Sequence, residues 1–161
     1  MSKVFAHRGW SGKYPENTML AFEKAIELGV DGIELDVHMS ADHQLVIIHD
    51  ETVDRTCNGT GFVKNMTVEQ LKALDASAGF VGVYGKTEIP TLREYMERVK
   101  DLPLVTNIEL KTNINEYEGL EAMVYEMIKE FKLQDRVIIS SFNHYTKVDR
   151  KRGSAGMPRP I

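Results

Sequence analysis

Seven residues of this chain have the types that chemistry at a charged ester requires, and their spacing groups them. Glu34 and Asp36 lie two apart in Gly32-Ile-Glu-Leu-Asp-Val-His38, and Glu109 lies two before Lys111 in Glu109-Leu-Lys111. Along an extended strand, residues two apart share a face. Ile33, Leu35 and Val37 therefore point one way, and Glu34, Asp36 and His38 the other. Neighbouring carboxylates are costly to bury unless something neutralises them. A hard divalent cation, Mg²⁺ or Ca²⁺, takes such oxygen ligands, so Glu34, Asp36 and Glu109 form the expected metal set. Arg8 and Lys111 are fixed cations that suit an oxyanion such as phosphate. His7 and His49 supply imidazoles, which as a class titrate near about 6.5 and exchange protons at neutral pH. The combination points to in-line displacement at phosphorus. One histidine deprotonates the nucleophile, the other protonates the leaving oxygen, and the metal stabilises charge on the phosphoryl oxygens.

The elements that must position these groups read as alternating strands and helices. Lys3–Ala6 is a short strand ending at His7-Arg8. A helix follows Pro15-Glu-Asn-Thr18, with Asn17 or Thr18 as N-cap, Phe22, Ala25 and Ile26 as its apolar face, and Gly29 at its end. After the Gly32–His38 strand and a polar turn, Gln44–Ile48 is a nearly all-apolar run, expected to be covered on both faces. It leads to His49. Residues 51 to about 86 read as a small insertion, with a capping box at Thr67-Val-Glu-Gln70. A second box, Thr91-Leu-Arg-Glu94, opens a helix burying Leu92, Tyr95, Met96 and Val99. Pro103–Leu110 is a strand. Leu120, Met123, Val124, Met127, Ile128 and Phe131 then mark a longer helix, whose methionines read as core filler. Arg136–Phe142 is the last strand, and about 147–161 reads as a frayed tail. The class is α/β with a parallel sheet. All seven chemical residues fall at C-terminal strand ends, the edge where parallel sheets and barrels place their sites.

The bulk numbers fit one domain. A chain of 161 residues can bury a real core, and 42% hydrophobic with 27% charged residues excludes a disordered chain. A net charge of −4 argues against a general nucleic-acid binder. One cysteine, Cys57, leaves no disulfide framework, and it has no evident partner base. No signal-peptide pattern opens the chain and no transmembrane run is seen, so the expected location is cytoplasmic. Asn58-Gly-Thr60 and Asn65-Met-Thr67 match the glycosylation pattern by chance. His38 reads as structural or solvent-facing, and His43 and His144 as without chemical role.

These residues resemble the glycerophosphodiester phosphodiesterase family. The similarity runs through His7-Arg-Gly9, Pro15-Glu-Asn-Thr18, Glu34-Leu-Asp36, His49-Asp50, Arg55-Thr56 with Gly59 and Gly61, Pro90-Thr-Leu92, Glu109-Leu-Lys111 and Ser141-Phe142, over roughly residues 3 to 145. It implies a TIM-barrel (β/α)8 fold with an insertion after the His49 strand. It implies hydrolysis of small-molecule glycerophosphodiesters to sn-glycerol 3-phosphate and an alcohol. It implies Ca²⁺ or Mg²⁺ on Glu34, Asp36 and Glu109, His7 and His49 as the acid–base pair, and phosphate contacts from Arg8 and Lys111. A TIM barrel typically needs about 250 residues, so the chain is expected to supply the first half of one. Four or five strands cannot close a barrel and leave edges that pair readily. Self-association or a complementing chain is therefore expected, with little turnover by an isolated monomer. The competing expectations are a lysophospholipase D-like phosphodiesterase and an inactive fragment that binds metal or a partner.

Overall fold

The computed structural model describes residues 2–112 and 117–141. The expected tail, His144 and Phe142 lie outside them. The elements run β1 (Phe5–His7), α1 (Met19–Glu27), β2 (Gly32–Met39), β3 (Leu45–Ile47), α2 (Val68–Lys72), α3 (Leu92–Val99), β4 (Val105–Leu110), α4 (Leu120–Glu130) and β5 (Val137–Ser141). Four strands are parallel and lie side by side in chain order, β1-β2-β4-β5. That order, with helices between the strands, is the winding of a (β/α) barrel wall. Among the described residues, β1 and β5 are the outer strands of this wall.

The wall curves over one apolar core. Ile33, Leu35 and Val37 from β2, Ile108 and Leu110 from β4, and Val137 and Ile139 from β5 meet Phe22 of α1, Tyr95 and Met96 of α3, and Val124 and Ile128 of α4. Tyr95 is fully buried, and its hydroxyl shares a 2.8 Å hydrogen bond with Thr106. On α4, Met123, Met127 and Phe131 pack partly buried against this core, as their helical spacing predicts. Among the described residues, no helix is long and apolar enough to cross a membrane.

The caps follow the sequence closely. Thr18 is the N-cap of α1, accepting from the Ala21 amide at 3.3 Å. Thr67 and Gln70 form a complete capping box on α2. At α3 the box is half made: Thr91 accepts from the Glu94 amide, while the Glu94 carboxylate turns to the Thr91 hydroxyl and to Lys72.

One strand departs from expectation. β3 is antiparallel to β2, pairing Val37 with Ile47 and Met39 with Leu45. The expectation of a parallel sheet came from the alternation of strands with helices, and the covering of both faces of β3 has its own cause. Leu45 and Ile47 pack into the main core. Val46 and Ile48 pack into a second cluster with Val53, Val63, Leu71, Ala76 and Ile89. This second cluster is built by residues 51–89, which also carry α2 and short 3₁₀ turns at 63–65 and 78–80. β2 extends past the end of β1, and β3 folds back along that extension. His49 is thereby returned to the rim from above.

Gly9 sets the turn from β1 into α1. Its φ is +76°, and a Cβ there would lie 2.8 Å from the Ala21 carbonyl carbon. Gly9→Ala should lower unfolding stability by about 1–3 kcal/mol, read as a fall in the urea midpoint with unchanged slope. A variant as stable as the parent would show that this turn relaxes freely.

Candidate active site

Strand register assembles the site. His7 of β1 pairs with Glu34 of β2, and Asp36, two residues further along, pairs with Glu109 of β4. Residues in register on parallel neighbours point the same way, so four chemical side chains meet on one face. One carboxylate oxygen from each of Glu34, Asp36 and Glu109 lies within 4.8 Å of the others. Asp36 is 0% exposed. Its Oδ2 accepts from Asn17 Nδ2 at 2.9 Å, and among the described residues its Oδ1 accepts no hydrogen bond. A buried carboxylate oxygen that accepts no hydrogen bond and faces two further carboxylates fits a cation.

The electrostatics agree. Burial, then the charges of Asp36 and Glu109, push the Glu34 carboxyl up to about 8. Burial and Asp36 also raise Glu109. Two cations flank the cluster. Lys111 Nζ stands 3.5 Å from Asp36 Oδ1 and 3.4 Å from Glu109. Arg8 Nε stands 3.5 Å from Asp36 Oδ2. Ionised together, the three carboxylates would outnumber the two cations, and a divalent ion would offset that excess. Arg8 also adopts φ +58° and gives its backbone N–H to the Glu34 carbonyl at 2.8 Å and to its Oε2 at 3.2 Å.

The two histidines differ. His7 is 66% exposed, with Nε2 3.6 Å from Glu34 Oε2. His49 is half-buried, and its Nδ1 lies 2.7 Å from Asp50 Oδ1. Arg55, then His49, holds the Asp50 carboxyl down at about 2, so it is ionised and accepts the Nδ1–H. The His49 Nε2 is thereby left as the basic atom. His38 lies inside β2 and is fully buried, not solvent-facing. Burial lowers its pKa. A carbonyl can only accept, so His38 Nε2–H donates to His49 O at 3.0 Å, and Nδ1 accepts from the Tyr117 hydroxyl at 2.8 Å.

Four contributors were not singled out as site residues by type and spacing. Asn17, considered as a helix cap, instead takes φ +55° and reaches Asp36. Glu16 bridges Arg8 at 2.8 Å and Arg55 at 2.5 Å. Burial raises the Glu16 carboxyl, but Arg55 and Arg8 outweigh it and hold the carboxyl below its ordinary range. Asp50 and Arg55 complete the set. Their only sequence signal is the run of motif residues around them. A cleft of about 480 Å³ opens here, lined by Arg8, Ser11, Glu16, Arg55 and residues 78–80.

Known proteins share this fold and much of this sequence. The sequence profile of the Glycerophosphoryl diester phosphodiesterase family matches residues 7–152. A glycerophosphodiester phosphodiesterase of Caldanaerobacter subterraneus is 52% identical over 149 residues, which are 92% of this chain and 61% of that protein. A glycerophosphodiester phosphodiesterase crystal structure from Agrobacterium tumefaciens superposes with a TM-score of 0.89 at 34% identity, covering 100% of this chain and 67% of that one. An Oleispira antarctica phosphodiesterase, solved in complex with its product sn-glycerol-3-phosphate, superposes with a TM-score of 0.86 at 35% identity, covering 99% and 65%. The chain spans about three fifths of the length of the curated relatives it matches first, 61%, 59% and 59%.

Proposed function

The chain belongs to the glycerophosphoryl diester phosphodiesterase family, and on that premise we propose that its site hydrolyses glycerophosphodiesters to sn-glycerol 3-phosphate and an alcohol. The observation that carries this reading is the convergence of Glu34, Asp36 and Glu109 around an Asp36 oxygen that accepts no hydrogen bond, with the cations of Arg8 and Lys111 beside it. The three carboxylates would hold one divalent ion, Ca²⁺ or Mg²⁺, whose Lewis acidity would stabilise charge on the phosphoryl oxygens. Arg8 and Lys111 would hold the phosphate. His49, with Asp50 on its far nitrogen, is suited to take the proton from the attacking water. His7, open to solvent at the same rim, is suited to give a proton to the departing alcohol oxygen. Arg8, Lys111 and the two imidazoles would together orient a bound phosphodiester between base and acid.

The outer strands enter the same proposal. β1 and β5 are the outer strands of the sheet among the described residues, and Val137-Ile-Ile139 on β5 is apolar and β-branched. We propose that these edges are covered by a second copy or by a complementing segment, and that turnover belongs to the covered form. The test is size fractionation with light scattering, each fraction assayed for sn-glycerol 3-phosphate release from glycerophosphocholine with Ca²⁺ or Mg²⁺. Activity should follow the associated fractions and vanish with a chelator. Metal-independent turnover would end the metal assignment. A monomer with full metal-dependent turnover would end the association alone.

A further inference from the structure

We propose that Glu16 and Arg55 are positioning residues that fix the imidazole of His49 relative to the metal-binding face of the sheet. This rests on the reading above, that His49 moves a proton. Six side chains form one line of alternating charge. Asp36 Oδ2 lies 3.5 Å from Arg8 Nε, and Arg8 Nη1 donates to Glu16 Oε2 at 2.8 Å. Glu16 Oε1 accepts from Arg55 Nη1 at 2.5 Å. Arg55 Nε and Nη2 donate to Asp50 Oδ2 and Oδ1 at 2.9 and 3.1 Å, and Asp50 Oδ1 accepts from His49 Nδ1 at 2.7 Å. Arg55 therefore commits all three nitrogens, two of them as a planar fork on one carboxylate. That geometry fixes orientation as well as charge.

The line is needed because of where His49 sits. His49 and Asp50 lie just past β3, outside regular structure. The backbone there is held by Ile48 N–H to Asp36 O and by His38 to His49 O, but neither bond turns the imidazole. Among the described residues the ring is turned by Asp50, and Asp50 is turned by Arg55. Glu16 then anchors Arg55 to the loop carrying Arg8, so the far end of the line is the metal ligand Asp36. Holding the insertion in place does not require Arg55. Tyr84 already ties it to the same loop, through a 2.8 Å bond to Lys13 O and a ring contact with Tyr14 at 5.0 Å. Arg55 is half-exposed, and exposed ion pairs add little to stability. Orientation is the role that remains.

The experiment uses the full chain labelled with ¹⁵N-histidine, with His49 assigned by its loss in His49→Gln. In the parent, neutral His49 should be the Nδ1–H tautomer. In Arg55→Gln and Glu16→Gln it should shift toward Nε2–H, and Arg55→Lys, which keeps the charge but not the fork, should fall between. Where the parent turns over glycerophosphocholine, kcat should drop about 10–100-fold with KM within about 3-fold. A tautomer unchanged in both Gln variants overturns the proposal, even if melting temperature falls. A shifted tautomer with unchanged kcat also overturns it. A shifted tautomer in a parent without turnover supports the positioning and sinks the functional reading instead. Should Glu16→Gln fail to fold, Arg55→Lys decides by the same signal.

Discussion

Glu34→Gln should leave the metal-free protein more stable than the parent at pH 8 and above, and less stable than the parent once Ca²⁺ or Mg²⁺ is added. The folded Glu34 carboxyl titrates at about 8, against an ordinary value of 4.5. A raised folded value means the protonated form is the one the fold tolerates. Its contribution is fully present below about 4.5 and is lost as pH rises through about 8. Each tenfold in proton affinity is about 1.36 kcal/mol, so the full rise would be about 5 kcal/mol, and solvent screening of the partly exposed group brings the cost of ionising Glu34 to on the order of 2–4 kcal/mol. Glutamine mimics the neutral form and can still accept the Arg8 amide that now reaches Oε2 at 3.2 Å, so the variant should lack this slope. With metal the order reverses. A ligand at 100 times its Kd stabilises the folded state by about 2.7 kcal/mol, and the variant has lost one of three anionic ligands. Urea titrations at pH 6 and 9, with chelator or with metal, give both signs. A parent with no pH slope, or a variant stabilised by metal as much as the parent, would refute the assignment.

This crossing of signs also shows what the sequence could and could not reveal. Period-two alternation put Glu34 and Asp36 on one face, and the strand-end rule put Glu109 and Lys111 beside them. Both follow from backbone geometry that any strand obeys, which is why the carboxylate cluster was legible. Strand direction was not legible for β3. An all-apolar run is produced equally by a parallel strand under helices and by an antiparallel strand between two clusters, here that of Leu45 and Ile47 and that of Val46 and Ile48. Nor was the fate of Asn17. A short polar residue before a helix is a good N-cap, but Thr18 took that role and freed Asn17 to turn through φ +55° onto Asp36. The Glu16–Arg55 pair spans 39 residues. Such a pairing is written in the packing of the insertion against the first loop, not in any local pattern. His38, read as structural or solvent-facing, is structural for a related reason. β2 runs to Met39 because β3 covers its extension, so a residue expected near the strand's end is buried and bonded on both nitrogens.

His49→Ala and His7→Ala should each lower kcat by about 10²–10⁴-fold, with KM changed far less and the fold intact. Neither side chain lies in the apolar core. His7 is mostly exposed, and His49 sits at the rim with one carboxylate partner. Substitutions outside a core are usually within about ±0.5 kcal/mol, so loss of turnover cannot be charged to unfolding. The two losses should differ in kind. Without His49 the attacking water loses its base, and added hydroxide should recover part of the rate. Without His7 the leaving oxygen loses its proton donor, so a substrate with a more acidic alcohol should suffer less than glycerophosphocholine. If the pair acts as a unit, the double variant should be little worse than either single one. The rates are compared in whichever assembly state the parent needs for turnover, with circular dichroism confirming the fold. Full activity in His49→Ala would remove it from the reaction. A loss in His7→Ala that is the same for every leaving group would remove His7 from the acid role, leaving it a neighbour of Glu34 and no more.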